Sequence, residues 1–172
     1  MPLCYGGGVS DAETAARLVA LGYEKISVSH AAVQRPELVS EMAERIGRQS
    51  VVVTLDVKKE GLLGGHKLYT QNASKKHKLD PVAFAEECAE RGAGEIILNS
   101  IDRDGMMQGY DMDLARKVRQ RVTVPLTVVG GAGSIEDLHK LVAELGPIGA
   151  GAGSLFVFKG KYRAVLISYA RP

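Results

Sequence analysis

Short apolar runs alternate along the chain with longer amphipathic stretches. The runs fall at residues 3–5, 25–28, 50–56, 95–99, 126–129 and 148–152. Each is brief and mostly apolar, so each reads as a buried parallel strand with both faces hydrophobic. The last is the weakest, being mostly Gly and Ala. Helical spacing marks 11–21, 36–46, 81–91, 111–120 and 135–144, and a closing helix is predicted over 160–169. Ser10 precedes Asp11 and Glu13, and Ser134 precedes Glu136 and Asp137. Both serines are expected N-caps with acids in the first turn. Asp80-Pro81 predicts a cap followed by proline at the first helical position. Residues 58–79 carry Gly61, Gly64 and Gly65, and the alternation over 66–70 predicts a small hairpin. Six βα units in succession imply one parallel sheet with right-handed crossovers. Two architectures offer that: a doubly wound open sheet or a (β/α)8 barrel.

An internal repeat separates them. Pro2-Leu3-Cys4-Tyr5-Gly6-Gly7-Gly8-Val9-Ser10 is echoed by Pro125-Leu126-Thr127-Val128-Val129-Gly130-Gly131-Ala132-Gly133-Ser134. Each copy is a strand, a glycine turn and a capped helix, followed by a strand that ends in Ser27-Val28-Ser29 or Ala152-Gly153-Ser154. Glycines after a strand let backbone N–H groups approach an anion, and a serine on the next strand adds a donor. The plainer alternative is that the glycines serve only tight turns. Two such cradles facing each other would hold a ligand with a phosphate at each end. Duplicated half-barrels do this, whereas open sheets bind at one switch point.

Composition narrows the function classes. The 172 residues carry 22 Lys+Arg against 20 Asp+Glu, which argues against a nucleic-acid binder. No apolar run is long enough for a membrane span. Cys4 and Cys88 have no ligand spacing, so a reducing cytoplasm fits best. His30, His66, His77 and His139 form no ligand-spaced cluster, and no metal is predicted.

Four stretches together resemble one family. They are Gly6-Gly7-Gly8-Val9, Val51-Val52-Val53-Thr54-Leu55-Asp56-Val57-Lys58, the run Gly92-Ala93-Gly94-Glu95-Ile96-Ile97-Leu98-Asn99-Ser100-Ile101-Asp102-Arg103-Asp104-Gly105 with Gly109-Tyr110-Asp111, and Val129-Gly130-Gly131-Ala132-Gly133-Ser134. The family is the cyclase subunit of imidazole glycerol phosphate synthase, a (β/α)8 barrel. The ending Ser154-Leu155-Phe156-Val157-Phe158-Lys159-Gly160-Lys161-Tyr162-Arg163-Ala164-Val165-Leu166-Ile167, with Asn99, is more similar to a paralogous branch linked to acetamidino sugars of bacterial surface polysaccharides. The match begins at the family's third strand. At about 250 residues per barrel, 172 residues supply between five and six units. The expected fold is therefore a partial TIM barrel, one α/β domain of six βα units over 1–172. The two missing units would carry a catalytic aspartate. Open sheet edges and an apolar inner face would then call for a second copy or a complementing segment, or mark a truncated product. The lone chain is expected to be impaired or inactive; the alternative is a non-catalytic phosphate-binding (β/α)6 fragment that self-associates.

The resemblance also implies chemistry. Ammonia from a glutaminase partner attacks a ribonucleotide held by both phosphates, with two aspartates as general acid and base and no cofactor. One aspartate corresponds to Asp56; the alternative is an acid that pairs with Lys58 on the same strand face. Asp102 and Asp104 correspond to substrate-contacting or loop-bracing acids, with loop capping as the alternative. Lys58 corresponds to a substrate contact, or to a solvated lysine. One phosphate cradle uses Gly8, Ser27 and Ser29, the last often Asn in the family. The other uses Gly105, Gly131, Gly153 and Ser154. Val129 stands where the histidine-pathway enzymes usually have serine. Lys25 and Glu95 correspond to charges at the ammonia entrance and glutaminase dock, with ordinary surface charges as the alternative.

Overall fold

The computed structural model describes residues 3–61, 65–160 and 162–167. Six parallel strands form the body: β1 (Cys4–Gly6), β2 (Lys25–Val28), β3 (Val51–Lys59), then β6 (Glu95–Ser100), β7 (Leu126–Val129) and β8 (Gly149–Ala150). They lie side by side in that order, so the sheet never reverses as a doubly wound sheet does. Among the described residues seven α-helices surround it: α1 (Ala12–Ala20), α2 (His30–Gln34), α3 (Glu37–Ile46), α4 (Pro81–Arg91), α5 (Met112–Arg119), α6 (Ile135–Leu145) and α7 (Ser154–Val157). The result is a half-barrel, a partial TIM barrel of the α/β class.

The strands differ from the expected doubly apolar type. Ile26, Val28, Val51, Val53, Leu55, Val57, Ile96, Leu98, Leu126 and Val128 point outward and are buried against helix residues such as Leu38, Met42, Phe84, Leu114 and Leu141. The alternate positions form the concave face, and the register aligns them in rows: Ser27, Val52 and Glu95; Thr54, Ile97 and Thr127; Asp56, Asn99 and Val129. The inner face is therefore mixed and not simply apolar as expected: each row carries one apolar residue (Val52, Ile97, Val129) among polar ones. The polar ones are joined by hydrogen bonds between Ser27 and Thr54 (2.7 Å), Thr127 and Glu95 (2.7 Å), and Asn99 and Asp56 (2.8 Å).

Local signals explain most boundaries. Asp80 accepts from the backbone N–H groups of Val82 and Ala83, with Pro81 opening α4 as predicted. Ser134 and Asp137 form a reciprocal capping box on α6. At α1 the cap is Asp11, whose carboxylate accepts from the Thr14 N–H at 2.7 Å, and not Ser10. Strand β3 runs past its predicted end because β4 (His66–Thr70) pairs antiparallel with its last residues, and β5 (Lys75–Lys76) completes the hairpin. Gln71, Asn72 and Ala73 at its tip have φ of 54°, 53° and 63°.

The closing segment is a further correction. In place of a helix over 160–169, β9 (Phe158–Lys159) and β10 (Ala164–Val165) pair antiparallel. Gly160 (φ 71°) and Arg163 (φ 48°) stand in the left-handed region between them, which ends any right-handed helix. Residues 161, 168 and 169 of that prediction lie outside the described residues.

Candidate functional site

The C-terminal ends of the parallel strands open into a cavity of about 450 Å³. Its first wall is the turn Gly6–Ser10 between β1 and α1. Gly7 (φ 129°) and Gly8 (φ 69°) adopt backbone that side chains resist, and a Cβ on either would meet open space. No described residue crowds them. Ser27 and Ser29 at the end of β2 form the second wall, and Thr54 and Asp56 the floor. Ser29 precedes α2 without capping it through its side chain, which leaves the hydroxyl for the cavity.

Asp56 sits on the concave face near the C-terminal end of β3. Its Oδ1 accepts from the Asn99 Nδ2 at 2.8 Å. Burial pushes its carboxyl above the usual range; the Asn99 hydrogen bond opposes this, and the charge of Asp104 adds to it. The expected alternative of an Asp56–Lys58 pair is not what the structure holds: Asn99 is the partner, and Lys58 is exposed opposite Lys67 of β4. Lys58 does not line the cavity.

The second glycine turn is unlike the first. Asp104, Gly105, Val129, Gly131, Gly153 and Ser154 gather around a space of about 20 Å³. A Cβ at Gly131 (φ 108°) would lie 2.2 Å from the Gly109 carbonyl oxygen, and the Gly109 N–H donates to the Gly131 carbonyl at 2.8 Å. The N–H groups of Gly133 and Ser134 both donate to Asp137 Oδ2. Here the glycines answer to close packing, and two donors are already used. Asp102 is exposed and joins neither turn. Arg103 beside it braces the loop, donating to the Gly109 carbonyl at 3.1 Å.

At the opposite strand ends, Lys25 Nζ meets Glu95 Oε2 at 2.5 Å across β3, and Thr127 donates to Glu95 Oε1. These are not independent surface charges; they form one cluster across the mouth of the concave face. The Cys4 thiol beside them is pushed up by burial and by Glu95, with Lys25 opposing. Burial pushes the Cys88 thiol in α4 up to about 12.

Sequence reasoning missed His30, Gln71 and Asn72, which close the 450 Å³ cavity, and the role of Asn99. His30 directly follows the serine-rich end of β2, and Asn99 lies level with Asp56 once the parallel register is drawn. The hairpin tip carried no signal of where it would fold back. Among the described residues no group of three or more His, Cys, Asp or Glu is placed to hold a metal ion, and no helix is long and apolar enough to cross a membrane.

Comparison with known proteins agrees with this architecture. A family described as "Histidine biosynthesis protein" matches residues 1–163. A Vibrio vulnificus protein provisionally named an imidazole glycerol phosphate synthase subunit is 52% identical over 172 residues, all of this chain and 66% of that protein. A Leptospira interrogans protein with the same provisional name is 50% identical over 169 residues, 98% of this chain and 66% of its own length. The imidazole glycerol phosphate synthase subunit HisF of Hyphomonas neptunium is 43% identical over 158 residues, covering 92% of this chain and 62% of its own length. The chain thus spans slightly less than two thirds of these relatives. With nearly all its residues matched and its strands in unbroken consecutive order, the chain belongs to the histidine biosynthesis protein family.

Proposed function

We propose that the chain carries cyclase chemistry of the imidazole glycerol phosphate synthase type. A phosphorylated ribonucleotide lies over the C-terminal strand ends, with one phosphate at Gly8, Ser27 and Ser29 and the other at Gly105, Gly131, Gly153 and Ser154. Asp56 moves the proton, and Asp104 keeps its carboxyl from ionising too readily. Ammonia enters from a glutaminase partner docked at the opposite ends, past Lys25 and Glu95, in the cytoplasm. The observation that carries this reading is the placement of Asp56 on the floor of a cavity walled by Gly7 and Gly8. Barrel enzymes keep their reacting groups at these strand ends. The test is ammonium-dependent turnover of the ribonucleotide by the chain assembled with the first two βα units of a full-length relative, and by the Asp56→Asn variant assembled in the same way. A drop of about 10²–10⁴-fold in the variant is expected; equal rates refute the assignment.

A second reading concerns the ligand. The second turn is nearly filled, and Val129 lines it without a donor. This favours a substrate with one phosphate, as for an ammonia-using partner in acetamidino-sugar synthesis. Competition between a mono- and a bis-phosphorylated ribose ligand decides, since only a working second cradle rewards the second phosphate. We also infer that β1 and β8, each with one strand neighbour among the described residues, pair with a second copy. A sedimentation coefficient that stays monomeric at all concentrations removes that inference.

A further inference from the structure

The hairpin that follows the core of β3 is strongly basic. Residues 58–79 hold six lysines against one acid, Glu60, whereas the whole chain is only +2. The cross-strand register puts two of those lysines face to face. Lys58 of β3 lies directly opposite Lys67 of β4, two pairs along from Asp56 and Tyr69. Partners in an antiparallel pair share a face, and so do residues two apart. Lys58 and Lys67 therefore stand on the same side of the sheet as Asp56, on the wall above the cavity. Their Cβ atoms are about 5 Å apart in such a pair. The step from their row to that of Asp56 is about 7 Å.

This arrangement costs stability, because like charges directly opposite one another repel. The register cannot slip to relieve them. Val57 and Leu68, the intervening pair, are both buried on the other face, and a slip of one residue would expose them. Among the described residues no acid forms an ion pair with Lys58 or Lys67. Glu60 is engaged elsewhere, by Lys76 Nζ at 2.6 Å and by the Tyr69 hydroxyl at 2.7 Å. Those two hydrogen bonds hold its carboxyl below the usual range against the opposing effect of burial, and the charges of Lys76 and Lys67 add to the lowering. One carboxylate thus faces three lysines, and two positive charges are left over.

We propose that Lys58 and Lys67 form a clamp for a phosphoryl group of the ligand that reaches Asp56. Two ammonium groups at this spacing call for a dianion, and the oxygens of a tetrahedral phosphoryl group can accept from both at once. Lysine grips phosphate as a point charge, whereas the planar two-toothed grip on a carboxylate suits arginine. Residues 58–79 contain no arginine. Filling the clamp relieves the repulsion between the two lysines. The ligand class is a phosphorylated sugar or ribonucleotide with a phosphoryl group about 7 Å from the part that Asp56 handles. The clamp rests on the reading of Asp56 as acting on a phosphorylated ligand. It adds an anionic anchor on the hairpin side, where the second glycine turn is nearly filled.

Inorganic pyrophosphate is the probe, in a ¹H–¹⁵N NMR titration of the chain at low ionic strength, where exposed charges are least screened. The backbone amides of Lys58 and Lys67 report the clamp, and those of Gly7 and Gly8 report the first glycine turn. Saturable shifts at Lys58 and Lys67 are expected. In Lys58→Gln and in Lys67→Gln the dissociation constant read at the hairpin rises about five- to tenfold. Lys59→Gln removes an equal charge from the opposite face of the same strand and raises it less than about twofold. Equal losses in all three variants mean diffuse attraction and overturn the clamp. Hairpin amides that do not move, or a dissociation constant indifferent to Lys58→Gln and Lys67→Gln, overturn it too. The cyclase reading is judged apart, by turnover of the assembled barrel. Rates unchanged by Asp56→Asn, with the hairpin titration as expected, remove the cyclase reading and leave a phosphoryl site. A failed hairpin titration, with Asp56→Asn still slow, removes the clamp alone.

Discussion

In the proposed reaction Asp56 is the carboxyl that moves the proton. Because burial raises its pKa in the folded chain, the folded state holds its proton more tightly than the unfolded state. The sign follows: below the unfolded carboxylate pKa the group adds nothing, and as pH rises through the folded pKa its ionisation lowers stability. Asp56→Asn should therefore raise Tm at pH 7, with the gain disappearing below about pH 4. Thermal unfolding at the two pH values checks this. Asn99 works the other way, since its N–H stabilises the carboxylate. Asn99→Leu should move the Asp56 titration to higher pH, read by carboxyl NMR or as a shift in the acid limb of the rate profile. Asp56 could be singled out from its family motif, but its partner could not. The choice of Asn99 over Lys58 depends on a register between two strands 43 residues apart, which no local pattern encodes.

Among the elements, caps and turns carry the sharpest tests. Asp11 and Ser10 are neighbours of similar capping propensity, so only geometry tells which accepts from Thr14. Asp11→Ala should lower Tm by about 2–4 °C and Ser10→Ala by much less. The hairpin tip is strained, with Ala73 at φ 63° where glycine is at ease. Ala73→Gly should stabilise the chain by about 0.5–1 kcal/mol, measured by urea unfolding. Helix α4 and strands β2 and β7 were legible to the residue, because proline, caps and apolar runs mark both their ends. The closing β9–β10 pair was not. Its residues have no strong helical or strand bias, and two left-handed positions decide the outcome. The placement of the hairpin beside His30 was hidden for a similar reason: local alternation shows a hairpin but not what it leans against.

For the whole molecule, the repeat made the half-barrel legible. Strand, glycine turn and helix recur with the same order of parts, and the sheet keeps its strands in chain order. The inequality of the two glycine turns was not legible, since it arises from the Ser100–Gly109 loop pressing on Gly130 and Gly131. Across the sheet, the Lys25–Glu95 pair joins β2 to β6 over the intervening β3. With Glu95 mostly buried and also bonded to Thr127, a double-mutant cycle of Lys25→Met and Glu95→Gln should return a coupling of about 0.5–1 kcal/mol.

The polar rows on the concave side change what this sheet can tolerate. A curved wall on which serine, threonine, asparagine and carboxylates separate Val52, Ile97 and Val129 offers no continuous greasy patch. Water can therefore wet it between those side chains, and what makes such a segment sticky is the bare backbone of its outermost strands, where two segments would meet along a seam.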